Sequence, residues 1–254
     1  MNKLTRFIEH LKDYACLNEK SVVIYQMGKV GSSSIERELK KKGIHVIHTH
    51  KLYPSDVFFY DLSRIDKLKK IRTKFHNWLT YQIFKRKKCK VITIVRDPLK
   101  RNLSQMFHHL DLLIYLRNKE NTRREVDANE LFLEIFKKDI NLAYATDWFE
   151  KEFFPSLDIN YNDIFFSKES KCSKIIKHNK EILIIKFEDI NNIGEVISDF
   201  CNIGEFEIHR ANDSKDKWYS SLYRDFSKTL VIDELEYKKM YSGNFYELFY
   251  KDEV

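Results

Sequence analysis

The chain has 254 residues, of which 43% are hydrophobic and 33% charged, so it can bury a sizeable core and is not composed like a disordered chain. Only six glycines and three prolines exclude a collagen-like or low-complexity sequence and argue against a turn-rich all-β fold. A net charge of +7 suggests an anionic partner, which could be nucleic acid, a membrane surface, a phosphorylated cofactor or a polysaccharide.

The first half of the chain alternates helical and strand patterns. The apolar spacing predicts helices over 3–17, from Ile35 onward and over 66–86, and strands over 22–25, 44–47 and 91–95. Over 66–86, six apolar residues share one helix face: Leu68, Ile71, Phe75, Trp78, Leu79 and Ile83. The run 91–95 consists of β-formers and is the strongest strand signal.

The second half of the chain is predicted to be mainly helical. Helices are expected over 99–117, 129–138, 141–154 and 189–201 and in the tail from 214, with a strand over 182–187. Strands that alternate with helices in this way favour an α/β fold with a parallel sheet. Without a linker or an internal repeat, the sequence predicts a single domain over 1–254.

The positive charge is concentrated in one segment. Residues 64–90 contain eleven Lys and Arg side chains and one acid, Asp66, so the segment carries +10 and the rest of the chain sums to −3. The protein is therefore predicted to be a nearly neutral body with one basic element rather than a nucleic-acid-binding protein. A solvated helix face is one interpretation of this segment, and a contact with an anionic acceptor, a membrane surface or a lipid-linked glycan is the other.

The four cysteines are far apart in sequence and form no pair with zinc-site spacing: Cys16, Cys89, Cys172 and Cys201. This usage is typical of free thiols in a reducing cytoplasm. The first apolar stretch carries mixed charges, and no run approaches the length of a membrane helix, so neither a signal peptide nor a transmembrane segment is predicted. We expect a cytoplasmic protein, with a peripheral contact at the inner membrane as a further possibility of the basic segment.

A glycine-containing loop joins the first strand to the next helix. Its sequence is Met-Gly-Lys-Val-Gly-Ser-Ser-Ser over residues 27–34. Backbone N–H groups and a helix N-terminus at such a place can hold a phosphate, with Lys29 as a mobile charge. A Ser N-cap beside a surface lysine is the structural alternative. The loop does not fit the Walker A pattern, because Gly31 is followed by Ser32 instead of lysine.

A second anion site is predicted after the strand 91–95, where Arg96 precedes Asp97 and Pro98. Ser104 lies eight residues beyond Arg96, inside the next predicted helix, and Arg101 lies on the same stretch. A strand-end Arg and a helical Ser can converge on one anion. The alternatives are an Arg96–Asp97 pair and a solvated serine. Asp97 is expected to contact the helix N-terminus rather than a metal.

Together the two motifs resemble the sulfotransferase superfamily, whose three-layer P-loop-type fold has a parallel sheet flanked by helices. The resemblance implies that the first loop binds the 5′-phosphosulfate of 3′-phosphoadenosine 5′-phosphosulfate (PAPS), through Lys29, Val30, Gly31, Ser32, Ser33 and Ser34. It implies that Arg96 and Ser104 hold the 3′-phosphate. Such transfer needs no metal, so none is expected.

The sequence Asp-Lys-Trp-Tyr-Ser over residues 216–220 is similar to the signature of the bacterial NKWYS-motif proteins, which are described as capsular polysaccharide synthesis proteins. Position 216 departs from that signature, with Asp for Asn. The resemblance implies a saccharide or glycan acceptor, and helix packing of Trp218 and Tyr219 is the structural alternative. The Arg-Lys-Gly motif of the cytosolic small-molecule sulfotransferases is missing from this sequence.

His48 and His50 stand at the predicted carboxyl end of the second strand, where ligands gather in open α/β sheets. Sulfuryl transfer to a hydroxyl needs a base, and histidine is suited to it. We expect alternate residues to face opposite ways, so that one of the two reaches the acceptor, and we prefer His50 to His48. A metal pair and two surface histidines are the alternatives, and His108 and His109 are weaker candidates for the base.

The sequence therefore predicts a PAPS-dependent sulfotransferase acting on a hydroxyl or amine of a saccharide, with His50, His48 and Lys29 as catalytic residues. Two other functions remain open. One is a P-loop kinase for a small molecule or sugar, against which the order of Lys29 and Gly31 argues. The other is a non-catalytic protein that binds polyanions through residues 64–90.

Overall fold

A computed structural model describes residues 3–59, 67–118, 127–167, 169–190, 192–208 and 217–251 of the chain. Within these ranges the contacts divide into two compact units. The first unit holds the described parts of Met1–Val57, Ile65–Arg96 and Asp147–Ala211, and the second those of Phe58–Arg64, Asp97–Thr146 and Asn212–Val254. The prediction of one domain over 1–254 stays a prediction.

The first unit contains a five-stranded sheet. Its strands are β1 (Val22–Tyr25), β2 (Val46–Thr49), β3 (Cys89–Val95), β4 (Cys172–Lys177) and β5 (Lys180–Lys186), in the order β2-β1-β3-β5-β4. β1 pairs in parallel with β2 and β3, and β3 with β5. β1 and β3 are buried along their whole length because helices cover parallel sheets on both faces. The predicted α/β class is confirmed.

The edge strand β4 differs from the predicted all-parallel sheet. It pairs antiparallel with β5 through a tight turn in which His178 has a φ of 52°. β4 buries one face and exposes the other, so it lacks the continuous apolar run that marks the central strands. The four predicted strands are present, and this fifth one was missed for that reason.

The helices of the first unit follow the predicted pattern closely. They are α1 (Lys3–Ala15), α2 (Ser32–Lys41), α3 (Lys67–Arg86), α8 (Phe154–Leu157) and α9 (Gly194–Cys201). A short helix, α7 (Tyr144–Trp148), leads through one π-helical turn, Phe149–Phe153, into α8. The prediction of one continuous helix over 141–154 was therefore too simple.

The second unit is helical over its described residues. Its helices are α4 (Pro98–His108), α5 (Leu110–Asn118), α6 (Ala128–Lys138), α10 (Ser220–Thr229), α11 (Glu234–Tyr241) and α12 (Asn244–Phe249). Phe107 on α4 packs against the rings of Phe132 and Phe226. No helix in the described part of the chain is long and apolar enough to cross a membrane.

Candidate functional site

The loop between β1 and α2 has an unusual backbone. Gly28, Lys29 and Gly31 have φ angles of 88°, 61° and 74°, all in the left-handed region. Successive left-handed and right-handed residues turn their N–H groups toward one side, which creates a concave anion-binding surface. Lys29 adopts this conformation despite its Cβ, a strain that is characteristic of functional loops.

Gly31 is required by both its backbone and its surroundings. A Cβ at this position would lie 2.6 Å from Cε2 of Phe187. Gly31 is also the N-cap of α2 and has no side chain with which to cap the helix. The first N–H groups of α2 are therefore suited to an external anion. Ser32 and Ser34 are buried in the first turn and Ser33 is exposed.

Arg96, at the end of β3, lies directly against this loop. Its Nη1 donates a 2.6 Å hydrogen bond to the carbonyl of Lys29. Its guanidinium carbon lies 4.3 Å from the ring centroid of Phe187. Phe187 therefore lies beside both Gly31 and Arg96 and supports the contact of Arg96 with the loop.

His48 is held by three side chains. Its Nδ1 lies 2.6 Å from Oε2 of Glu36, and its Nε2 lies 3.0 Å from Oγ of Ser32. Gln26 completes the set, with its Nε2 2.8 Å from Nε2 of His48. His48 therefore links the strand β2 to the first turn of α2.

The Gln26 amide determines the tautomer of His48. Its Oε1 accepts the N–H of Gly28, so its Nε2 must face the imidazoles. An amide nitrogen only donates, so Nε2 of His48 accepts and Nδ1 carries the proton. His48 therefore donates from Nδ1 to the carboxylate of Glu36.

His50 lies beside the same amide. Its Nδ1 is 3.0 Å from the Gln26 carbonyl and 2.9 Å from Gln26 Nε2, and its ring centroid is 5.2 Å from that of His48. The expectation that the two histidines face opposite ways was wrong. Successive side chains of a strand alternate between its faces, so residues two apart, such as His48 and His50, point to the same side.

A buried carboxylate fixes the segment that follows His50. Glu152, in the π-helical turn, accepts hydrogen bonds from the backbone N–H groups of Leu52 and Tyr53, at 2.6 and 2.8 Å. The hydroxyls of Tyr25, at 2.7 Å, and Ser55 also donate to it. One turn earlier, Nε1 of Trp148 donates to the carbonyl of His50 at 2.9 Å.

The two glutamates that flank the histidines differ electrostatically. Burial is the largest influence on Glu152 and raises the pKa of its carboxyl, which its hydrogen bonds from Ser55 and Leu52 oppose only in part. Partial burial also acts to raise the pKa of Glu36, but its hydrogen bonds with Lys40 and His48 together outweigh burial and lower it. Burial, together with Glu152, raises the pKa of the Tyr25 hydroxyl.

The remaining predicted site residues lie in the second unit. Ser104 is half-buried on α4, and its pairing with Arg96 in a 3′-phosphate site stays a prediction. Arg101 is buried with its guanidinium over the rings of Phe59 and Tyr144, which makes it a core residue of this unit. The expected contact of Asp97 is confirmed, since its carboxylate caps α4 by accepting the N–H of Lys100 at 2.8 Å.

The two histidines that are weaker candidates for the base, and the residues of the motif 216–220, differ in their exposure. On α4 and just after it, His108 is exposed and His109 half-buried, with ring centroids 4.7 Å apart. Tyr219 is buried beside Phe107, whereas Trp218 is 62% exposed. Asp216 lies outside the described residues, so the motif 216–220 is seen only in part. No group of three metal-ligating side chains occurs in the ranges that the structure describes.

Four residues of the site were not found from the sequence: Gln26, Glu36, Glu152 and Phe187. Gln26 is the residue after β1 and could have been found by the rule that strand ends carry function. Glu36 lies one helical turn beyond Ser32, on a helix rich in charges, and nothing in its spacing distinguishes it. Glu152 and Phe187 are distant in sequence, and only the fold brings Glu152 to the segment after His50 and Phe187 to the loop.

A strand–loop–helix anion site beside a pair of histidines, on a largely parallel sheet, defines a P-loop-like group-transfer enzyme. A family model described as "Sulfotransferase domain" matches residues 15–227. The chain therefore belongs to the sulfotransferase domain family, and it is an enzyme of the sulfuryl-transferring kind. The family generally uses PAPS as its donor. Neither the curated proteins nor the solved structures gave a match.

Proposed function

We propose that this sulfotransferase moves the sulfuryl group of PAPS to a hydroxyl or amine of a saccharide, in the synthesis of a capsular or cell-surface polysaccharide. The observation that carries the donor assignment is the left-handed loop backbone that ends at an N-cap without a side chain. The saccharide is supported by the similarity of residues 216–220 to the NKWYS-motif proteins. The four free thiols suit a cytoplasmic enzyme.

Lys29, Arg96 and the loop N–H groups would hold the donor. The donor supplies an activated sulfuryl group whose leaving group is a phosphate. Residues 28–34 stabilise the negative charge that grows on this phosphate as its bond to sulfur breaks, and the loop is already folded for this task. Phe187 packs against the Arg96 guanidinium and supports its position beside the loop. Ser104 is proposed to complete the 3′-phosphate site.

His50 is proposed as the general base. We assign His50 the tautomer whose Nδ1–H donates to the Gln26 carbonyl, 3.0 Å away, rather than the one whose Nδ1 accepts from Gln26 Nε2, 2.9 Å away. The lone pair is then on Nε2, which accepts the proton of the acceptor hydroxyl as its oxygen bonds to sulfur. His48 has a positioning role in this proposal, because its two ring nitrogens contact Glu36 and Ser32. It thereby orients the first turn of α2 toward the donor.

Calorimetric titration with 3′-phosphoadenosine 5′-phosphate tests the donor site. We expect binding that Lys29→Ala and Arg96→Ala weaken, while Lys228→Ala on the exposed side of α10 serves as the matched control. Arg96→Ala should weaken this bisphosphate far more than adenosine 5′-phosphate. No heat at millimolar bisphosphate, or binding of ATP that depends on Mg²⁺ instead, would contradict the proposal and favour a kinase.

Turnover with a labelled donor and a panel of saccharides tests the base. His50→Ala should reduce kcat by roughly 10²- to 10⁴-fold, the usual contribution of a general base, while bisphosphate affinity is retained. His178→Ala is the control, since this histidine pairs with Asp158 on the surface. If kcat survives in His50→Ala and is lost in His48→Ala, the two roles are exchanged.

A further inference from the structure

The helix α3 exposes part of its apolar surface, although it buries polar side chains elsewhere. Asn77 and Thr80 are buried in the first unit, whereas Ile71, Phe75 and Trp78 are 63%, 57% and 46% exposed. These three residues are spaced i, i+4 and i+7 and so form one stripe along the helix. Soluble proteins rarely expose a contiguous apolar stripe unless it contacts a partner.

The stripe is an ordered surface. The rings of Phe75 and Trp78 stack with an interplanar angle of 23° and centroids 6.1 Å apart. On the opposite face of α3, His76 packs against Phe7 and His10 of α1, with centroids 5.0 and 4.8 Å apart. The contact with α1 fixes the rotation of α3 about its axis, so the stripe is held outward by packing.

Cations lie beside the stripe and beyond its carboxyl end. With about 100° between successive residues of an α-helix, Arg72 projects to one side of the stripe, and Lys85 and Arg86 follow about two turns beyond Trp78. All three side chains are exposed. They belong to the segment 64–90, which carries +10 while the rest of the chain carries −3.

We propose that α3 docks on an anionic lipid bilayer and lies in the plane of the interface, with Ile71, Phe75 and Trp78 inserted and the cations at the headgroups. An exposed apolar stripe rich in aromatic residues and flanked by Lys and Arg is the form of an interfacial helix. A soluble polyanion would engage the cations but would leave the stripe in water. A second copy docked face to face would oppose two segments of +10 each, which is unfavourable.

Co-sedimentation of the full chain with vesicles tests this assignment. We expect binding to vesicles of phosphatidylcholine with phosphatidylglycerol, little binding to phosphatidylcholine alone, and release by high salt. Neutralising Arg72, Lys85 and Arg86 to Gln should weaken binding by roughly fivefold per charge. The double variant Phe75→Ser/Trp78→Ser should weaken vesicle binding at least tenfold, and the binding that remains should keep its salt dependence.

The matched control is Val231→Ser/Leu235→Ser, which removes two apolar residues that are more exposed than Phe75 and Trp78 but lie outside α3. Its binding should equal that of the wild type, and circular dichroism should show that both double variants are folded. A fluorescence measurement adds a local readout. Of the three tryptophans, Trp148 is fully buried, so in Trp218→Phe the remaining exposed tryptophan is Trp78.

The emission of Trp78 in that variant should shift to shorter wavelength on anionic vesicles and be quenched by brominated lipid. Three results would overturn the proposal. One is binding to anionic vesicles without any change in Trp78 emission. Another is tight binding to a soluble polyanion, unaffected by Phe75→Ser/Trp78→Ser, with no vesicle binding. The third is a concentration-dependent dimer that this double variant abolishes, which would assign the stripe to a second copy.

Discussion

Glu36 and Glu152 stabilise the two ends of the segment 48–53 by different physical means. Glu36 is partly exposed, and its two charged or chargeable partners, Lys40 and His48, favour its ionised form. Glu152 is fully buried and receives its hydrogen bonds from neutral donors. Glu36 therefore stabilises the segment through its negative charge, whereas Glu152 stabilises it by accepting several hydrogen bonds from neutral groups.

The largest expected effect is on stability, in Glu152→Ala. This change leaves the N–H groups of Leu52 and Tyr53 and the Tyr25 hydroxyl without their acceptor, and we expect a loss of roughly 3–5 kcal/mol in the free energy of unfolding. Urea denaturation would measure it. Glu152→Gln is the control, because its amide oxygen can accept the same backbone donors while its nitrogen donates to Ser55. A loss in Glu152→Gln as large as in Glu152→Ala would mean that the charge is what matters.

Replacing Glu36 is expected to have a smaller effect, which is on the affinity for 3′-phosphoadenosine 5′-phosphate. Glu36→Ala removes the acceptor of the His48 Nδ1–H, which loosens the contact of His48 with Ser32. Loss of one charge-assisted hydrogen bond corresponds to an affinity for 3′-phosphoadenosine 5′-phosphate about tenfold lower. Glu36→Gln keeps an acceptor and should recover most of it. Equal affinities in all three proteins would show that His48 does not orient the loop.

The two carboxylates should also have opposite pH signatures. The pKa of Glu36 is lowered from its ordinary value of 4.5, so its contribution to stability is present above that pH and is lost as the pH falls through the folded pKa. The pKa of Glu152 is raised from the same value, so the folded state binds its proton more tightly and stability declines as the pH rises above 4.5.

Urea midpoints of the wild type, Glu36→Gln and Glu152→Gln between about pH 3 and pH 7 would test these signs, because each variant removes one titration. Glu36→Gln should lessen the loss of stability on the acid side. Glu152→Gln should lessen the decline in stability as the pH rises above 4.5. Curves that stay parallel to the wild type would contradict the electrostatic comparison.

The smallest expected effect is from Trp148→Phe. The variant keeps an aromatic ring against Tyr25 and Phe153 but loses the hydrogen bond to the His50 carbonyl. We expect a cost of about 1 kcal/mol in unfolding free energy. Because this carbonyl belongs to the proposed base, kcat should fall more than KM changes. A change in KM without a change in kcat would show that Trp148 does not position His50.

The sequence predicted those parts of the fold that local pattern encodes. β1 and β3 are continuous apolar runs, and the spacing around Ile35 marks a helix, so all three were found. The loop 27–34 was found because glycines beside a strand end have a conformational meaning, which the positive φ of Gly28, Lys29 and Gly31 confirms. The resemblance to the sulfotransferase family followed from this loop together with Arg96 and Ser104, and the family is confirmed.

What could not be predicted depends on contacts between distant residues. Phe187 approaches Gly31 only because β5 lies beside β3 in the sheet. Glu152 had no sequence signal, since its donors are backbone groups a hundred residues away. The apolar face predicted over 66–86 includes the exposed Ile71, Phe75 and Trp78 and the half-buried Leu79 and Ile83, because periodicity alone does not reveal whether a residue of such a face is buried or exposed.

The edge strand β4 has a consequence for the behaviour of the protein in concentrated solution. An unpaired strand edge is a template for pairing with other chains. Ile176 is 81% exposed on β4, but Lys174 and Lys177 flank it along the strand. Lys177 is paired with Asp163 at 3.5 Å, so the exposed Lys174 carries the ammonium that an approaching copy would have to bury against its own. This lysine therefore opposes the addition of a strand from a second copy at the rim of the sheet.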